Sequence, residues 1–197
     1  ATHETAANME LLRDKAIQVG ADTAFSAEEA AGGIEELAKA GLSTKDILNG
    51  GLAGAMDLAA AGALDVSDAA EFAASSMVQF GLSGEDIPHI ADLLAAGAGK
   101  AQGSVADMGL ALSYAGVPAK GLGVSIEETT GMIALFASNG IVGEKAGTAL
   151  RSMFISMQNP SKKAASVMED LGIKVFDAKG NFIGMEGAAG ILSDKLG

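Results

Sequence analysis

The sequence predicts an all-α chain: a compact multi-helix domain of short, glycine-terminated helices, with one small β-hairpin near the C-terminus. Apolar residues recur at spacings of three and four along most of its length. Serine or acidic residues open these stripes and glycines close them. The 197 residues also hold 27 glycines and are 49% hydrophobic yet only 4% aromatic, so the core is built from Ala, Leu, Ile, Val and Met.

The first helix carries Met9, Leu12, Ala16 and Val19 on one face, and Gly20 is its expected end. Ser26-Ala27-Glu28-Glu29 opens the second helix as a capping box, in which the serine oxygen takes the N3 amide and Glu29 reaches back to the cap amide. Its buried face is Ala30, Ile34 and Leu37, and Gly41 stands where the chain must turn left-handed. A partner helix runs from Thr44 through Leu48, Leu52, Met56, Ala59 and Ala63. The second helix then recurs at an offset of 40, from Val66-Ser67-Asp68 through Ala74 and Met77 to Phe80-Gly81-Leu82-Ser83. It recurs again at an offset of 99, with Ser125-Ile126-Glu127-Glu128, Ile133, Phe136 and Gly140 in place. Ile87, Ile90, Leu94 and Ala98 mark a helix from Glu85, and a weaker copy runs from Met108 to Ala115-Gly116-Val117, with a break expected at Gly116. Offsets of 40 and 99 share no period, so the expectation is a repeated grammar of helix ends and not a regular solenoid.

Glu144 to Met157 forms a further helix with Ala146, Leu150, Met153 or Phe154, and Met157 inward. Pro160 suits the first turn of the next one, which carries Ala164, Val167, Met168 and Leu171 and ends at Gly172. The period then changes. Ile173-Lys174-Val175-Phe176 and Asn181-Phe182-Ile183 flank Asp177-Ala178-Lys179-Gly180, a turn of type I with a following bulge, and together they predict a β-hairpin. A lone hairpin is marginal in water, so it must lean on a helix from Glu186 to Leu196 bearing Ala188, Ile191 and Leu192. The expected organisation is a helical region over 1–172 and a hairpin-plus-helix over 173–197 packed on it.

Thirteen Lys and Arg against 25 Asp and Glu give a net charge of −12, which opposes a phosphate backbone, so nucleic-acid binding is not expected. The absence of cysteine removes disulfides, thiolate nucleophiles and iron–sulfur clusters, and His3 and His89 offer no zinc spacing. The longest uncharged run, Thr129 to Gly143, is shorter than the roughly 20 residues of a bilayer span. The chain opens at Ala1 without an initiating Met and stops in mid-pattern at Lys195-Leu196-Gly197, as a piece of a longer polypeptide would.

Gly97-Ala98-Gly99-Lys100 matches a phosphate loop only in part. Leu94 stands where the first glycine belongs, Ala101 replaces Ser or Thr, and no strand precedes it, so a helix-ending turn is expected. The Asp177 loop puts Lys179 where a calcium loop needs an oxygen ligand. Of the acidic pairs Glu28/Glu29, Glu35/Glu36, Glu85/Asp86 and Glu127/Glu128, most fall in first helical turns, where exposed N–H groups favour negative charge without any acid–base role. No Gly-x-Ser-x-Gly elbow occurs. Gly50-Gly51-Leu52-Ala53-Gly54-Ala55 is a small-residue face for close helix approach, at about 1 kcal/mol per helical glycine. No catalytic, cofactor-binding or metal-ligating residue is predicted and no cofactor is expected, so the sequence favours a structural or interaction role over an enzyme.

The order of motifs goes further. Gly41-Leu42-Ser43, Leu52 to Gly62, Phe80-Gly81-Leu82-Ser83 and Gly123-Val124-Ser125-Ile126-Glu127-Glu128 resemble the core region of bacteriophage tail tape measure proteins. So do Asn139-Gly140-Ile141, Ala146-Gly147-Thr148-Ala149-Leu150-Arg151, Pro160-Ser161, Leu171-Gly172-Ile173 and Phe176 to Asn181, in that order. Val117 to Gly121 and Ile183-Gly184-Met185 depart from the pattern locally. The resemblance implies a structural virion-assembly protein that sets tail length, sits in the tail tube lumen, is made in the host cytoplasm and leaves during DNA ejection. The partners it implies are the tail tube protein, tail assembly chaperones, baseplate or distal tail hub proteins, further copies of itself as a homo-oligomer, and the host envelope at infection. The alternatives are a cell-wall-degrading segment of a tail protein and a non-phage helical adaptor.

Overall fold

The computed structural model describes residues 5–100 and 102–196. Its helices are α1 (Ala6–Asp22), α2 (Ala27–Lys39), α3 (Thr44–Asp46), α4 (Leu52–Gly62), α5 (Val66–Phe80), α6 (Ile87–Gly99), α7 (Val105–Leu122), α8 (Ile126–Ser138), α9 (Gly143–Gln158), α10 (Lys162–Asp170) and α11 (Gly184–Leu196). The segment Ile47–Gly51 joins α3 to α4 through a kink at Asn49 and Gly50, where the backbone leaves helical geometry, and a 3₁₀ turn, Gly84–Asp86, leads into α6. Among the described residues no single helix is long and apolar enough to cross a membrane.

Repeated corners order these helices. At Gly41, Gly81, Gly123, Gly140 and Gly172, and at Ala63, the chain turns with positive φ. The apolar residue that follows donates its N–H to a carbonyl five residues back: Leu42 to Leu37, Leu64 to Ala59, Leu82 to Met77, Val124 to Ala119, Ile141 to Phe136 and Ile173 to Met168, at 2.8–3.1 Å. This bond satisfies an orphan carbonyl and points the apolar side chain back toward the helix it ends. A new helix starts at once, capped by Ser43 after Gly41 and by Ser125 after Gly123.

The corners fold consecutive helices into two rows. α2, α5, α7 and α9 pack in that order with α1 outside α2, while α4, α6 and α8 form the second row against them. This is the alternation of a helical solenoid without its regularity. α7 has 18 residues where α8 has 13, and α4 is preceded by a kink at Asn49 and Gly50, so offsets in sequence share no period. The core between the rows is mostly Ala, Leu and Ile, with Phe154, Leu150, Leu112 and Ile133 fully buried.

Two expected helix breaks are corrected. Gly20 and Gly116 lie inside α1 and α7, both of which run on past them. Each glycine marks a close approach instead: a Cβ on Gly20 would stand 2.5 Å from the Ala27 backbone nitrogen, and one on Gly116 would meet the Gln79 side chain. Pro160 precedes α10 and does not enter its first turn, because Ser161 is the N-cap and accepts the Ala164 N–H.

The C-terminal β-hairpin is also corrected. The turn is present, with Gly180 at φ +84° and its N–H on Asp177 O, but the described residues hold no strand, only a single bridge between Phe176 and Phe182. The arms pair only beside the turn, where Ile183 donates its N–H to Val175 O and Asp177 donates to Asn181 O, and they have no residues left to extend the ladder. Ile173 donates its N–H to Met168 O to end α10, and Gly184 already opens α11. Ile173, Val175 and Ala188 form a small second cluster with Met168, Ile191 and Leu192, while Phe176, Phe182 and Met185 touch the main core. The side chain of Leu196 lies outside the described residues.

Candidate interaction surfaces

Each residue weighed for chemistry has a structural place. Gly97 and Gly99 lie in the last turn of α6 with Lys100 as its C-cap; Ala101 lies outside the described residues, as does His3. The Asp177 carboxylate accepts from Asn181 Nδ2 and from the Lys179 and Asn181 N–H groups at 2.8–3.0 Å. These bonds, the Asn181 side chain foremost, hold its pKa below the ordinary value and close the loop on itself. Glu35 and Glu36 both pair with Lys39, at 3.0 and 2.9 Å. Among the described residues, no group of three or more His, Cys, Asp or Glu is placed to hold a metal ion.

The helix starts use the remaining acids. At Ser26/Glu29, Ser43/Asp46 and Ser104/Asp107 both halves of the capping box close, and Asp86 accepts the Ser83 N–H at 2.8 Å. Of these, the sequence pattern predicts Ser26/Glu29; the others carry the same spacing with aspartate in place of glutamate. The second expected box is half made. Ser125 Oγ accepts the Glu128 N–H, but the Glu128 carboxylate crosses to accept the Met185 N–H at 3.0 Å and so ties α8 to the start of α11. Its neighbour Glu127 meets His89 Nε2 at 2.8 Å, joining α8 to α6 across a half-exposed pair. That hydrogen bond lowers the Glu127 pKa. Nothing in local sequence signals either long-range tie.

The Ala146-to-Arg151 motif divides by face. Ala146, Gly147 and Leu150 are buried against α7, and a Cβ on Gly147 would stand 2.5 Å from Ala111 O, so glycine there sets how closely α7 and α9 approach. Thr148, Ala149 and Arg151 face solvent.

Apolar side chains stay exposed at several places among the described residues, and two of these surfaces bear on association. A groove of ≈ 860 Å³ runs between α1 and α2, with Leu12, Ala16 and Ile34 in it and Ile17 51% exposed. The second is α10, which has no buried residue and exposes Val167, with Leu171 exposed at its C-cap.

The fold defines a class first: a helical packing domain whose polar groups cap, tie and close its own elements. Residues 13–197 match the family described as phage-related minor tail protein, and the chain belongs to that family. It is 39% identical over 179 residues to the tape measure protein of Pneumococcus phage Dp-1, covering 91% of this chain and 16% of that protein. It is 35% identical over 175 residues to the probable tape measure protein of Escherichia phage P2, covering 89% of this chain and 21% of that one. The chain therefore spans about a fifth or less of the curated relatives it matches. No solved structure matches it. The relatives give it a structural role in a phage tail.

Proposed function

We propose that this chain is the folded core segment of a tape measure protein, a non-enzymatic part of a longer polypeptide that lies in the tail tube lumen, sets tail length and leaves ahead of the DNA. The observation that carries this is 39% identity to a tape measure protein over nearly the whole chain. Its partners are the tube protein, the assembly chaperones and the baseplate hub, with several copies in one tail and host-envelope contact at infection. Synthesis places it in the host cytoplasm before assembly. Residues 1–172 act as one body and 173–197 as an appendage held by the Glu128 tie.

Within that protein the segment is a folded station and not the ruler itself. A ruler gains about 1.5 Å per residue as a continuous helix, whereas here even the 18-residue α7 spans only about 27 Å before the chain doubles back. The test is an in-frame deletion of residues 10–197 from the phage gene, read by tail length in electron micrographs. Absent tails, or normal-length tails on non-infectious particles, support an assembly or delivery role. Shortened tails would make the segment part of the ruler, and unchanged infectious particles would overturn the whole reading.

A further inference from the structure

We propose that α10 of one copy seats in the α1/α2 groove of the next, so that copies of this chain associate head to tail. The groove is lined by Leu12, Ala16, Ile17 and Ile34. α10 offers Ala164, Val167 and Leu171 on one stripe, at i, i+3 and i+7, with Val167 47% and Leu171 38% exposed.

Length and charge select this occupant. The nine residues of α10 extend about 14 Å, and α2 from Ala27 to Ala38, which forms one wall, extends about 18 Å, so α10 fits within the groove. α1 and α2 run antiparallel, with Gly20 against Ala27, so Glu28 lies at one end of the groove, Arg13 and Glu35 midway along it and Lys39 at the other end. Lys39 is held by Glu35 and Glu36, so of the two cations lining the groove Arg13 is the one without an ion pair among the described residues. α10 has the matching polarity: Lys162 and Lys163 begin it, Glu169 and Asp170 end it. Seated parallel to α2, it sets its lysines at Glu28 and its acids at Arg13, an arrangement that specifies direction as well as site.

The two faces do not meet within one chain: α2 packs on α1, α4 and α5, and neither α1 nor α2 packs on α10. A face that binds a different face makes a heterologous contact, which propagates into rings or open chains and does not stop at two. The contact is small, below the about 1,200 Å² of stable complexes, so it is weak between free copies and strengthens wherever copies are held together. The association rests on these two faces alone and stands apart from the tail-length reading.

Sedimentation equilibrium of the 197-residue chain tests it, with circular dichroism to show that each variant keeps its fold. The mass of the wild-type chain rises with concentration past that of a dimer. Ile17→Glu and Val167→Glu each lower the association constant at least about tenfold, because each places a carboxylate against apolar surface. An equimolar mixture of the two associates again but stops at dimers, since Ile17→Glu retains a sound α10 and Val167→Glu a sound groove. A wild-type chain that stays monomeric up to about 1 mM, where even weak complexes form, overturns the proposal. So does either single variant that associates like wild type, which would make the contact groove-to-groove or α10-to-α10, and so does a mixture that remains monomeric.

Discussion

Ala63→Gly should stabilise the protein. Ala63 ends α4 at φ 50°, ψ 47°, and every other positive-φ residue described is glycine. A side chain in this conformation brings Cβ against the following carbonyl, at about 1–2 kcal/mol. The Ala63 methyl is exposed, so removing it forfeits no packing. Against the relief stands the greater freedom of glycine in the unfolded chain, about 0.4–1 kcal/mol. The net gain is about 0.5–1 kcal/mol, or roughly 1–4 °C in Tm for a chain of this size. Urea unfolding followed by circular dichroism measures it, and an unchanged slope shows that the unfolded state is the same. Ala149→Gly is the control: this alanine is also exposed but lies inside α9, so the same change costs about 0.5–1 kcal/mol there. If both substitutions destabilise alike, the corner geometry assigned to Ala63 is wrong.

Gly147→Ala should cost about 1–3 kcal/mol, because its methyl would meet Ala111 O and the Tyr114 Cβ where α9 crosses α7; denaturant midpoints report it. Glu128→Ala should speed amide hydrogen exchange in α11 while leaving α7 and α9 protected, since it removes the acceptor of the Met185 N–H and little else. Stability should fall in acid. The Glu127 carboxyl is held low by its hydrogen bond to His89, and that of Asp86 by the Ser83 N–H and hydroxyl. A folded pKa below the unfolded one contributes stability that is complete above the ordinary carboxylate range and is lost as pH falls through the lowered values. Urea midpoints from pH 7 to 3 should show this, and Glu127→Gln should flatten part of the slope.

How much was legible in the sequence depends on the range of the interaction. Ser26 with Glu29 and Gly41 with Leu42 act within six residues, so cap and corner are visible in composition and spacing. Gly20 and Gly116 look like stops for the same reason, yet what decides them is the Ala27 backbone and the Gln79 side chain, which the fold alone brings near. The hairpin fails by a similar margin: its turn chemistry is local and correct, but Ile173 and Gly184 are claimed by neighbouring helix ends. The ties of Glu128 to Met185 and Glu127 to His89 span 57 and 38 residues and leave no local trace. The α1/α2 groove was invisible as well, since Met9, Leu12 and Ala16 read as an ordinary buried face and nothing in spacing says that its cover is incomplete.

The same contrast of local and distant forces governs how α7 holds together. Its interior includes Gly109, Gly116, Gly121 and Pro118, which together disfavour helix by about 6 kcal/mol relative to alanine. Such a segment is not helical alone, and a peptide of residues 105–122 should show little helix in water by circular dichroism. Within the fold, the buried Gly109 receives the Phe72 ring and Gly116 receives Gln79 and Phe80, contacts that a methyl would block. Replacing both by alanine should therefore raise helicity in the peptide and lower stability in the intact chain. A gain in both would show that the glycines are merely weak helix formers and that row packing does not depend on them. Opposite signs would show that α7 is stable only in company, so that separating the rows at one point withdraws support from the next. A domain built this way comes apart as a unit, which suits a chain proposed to thread a tube it first occupied folded.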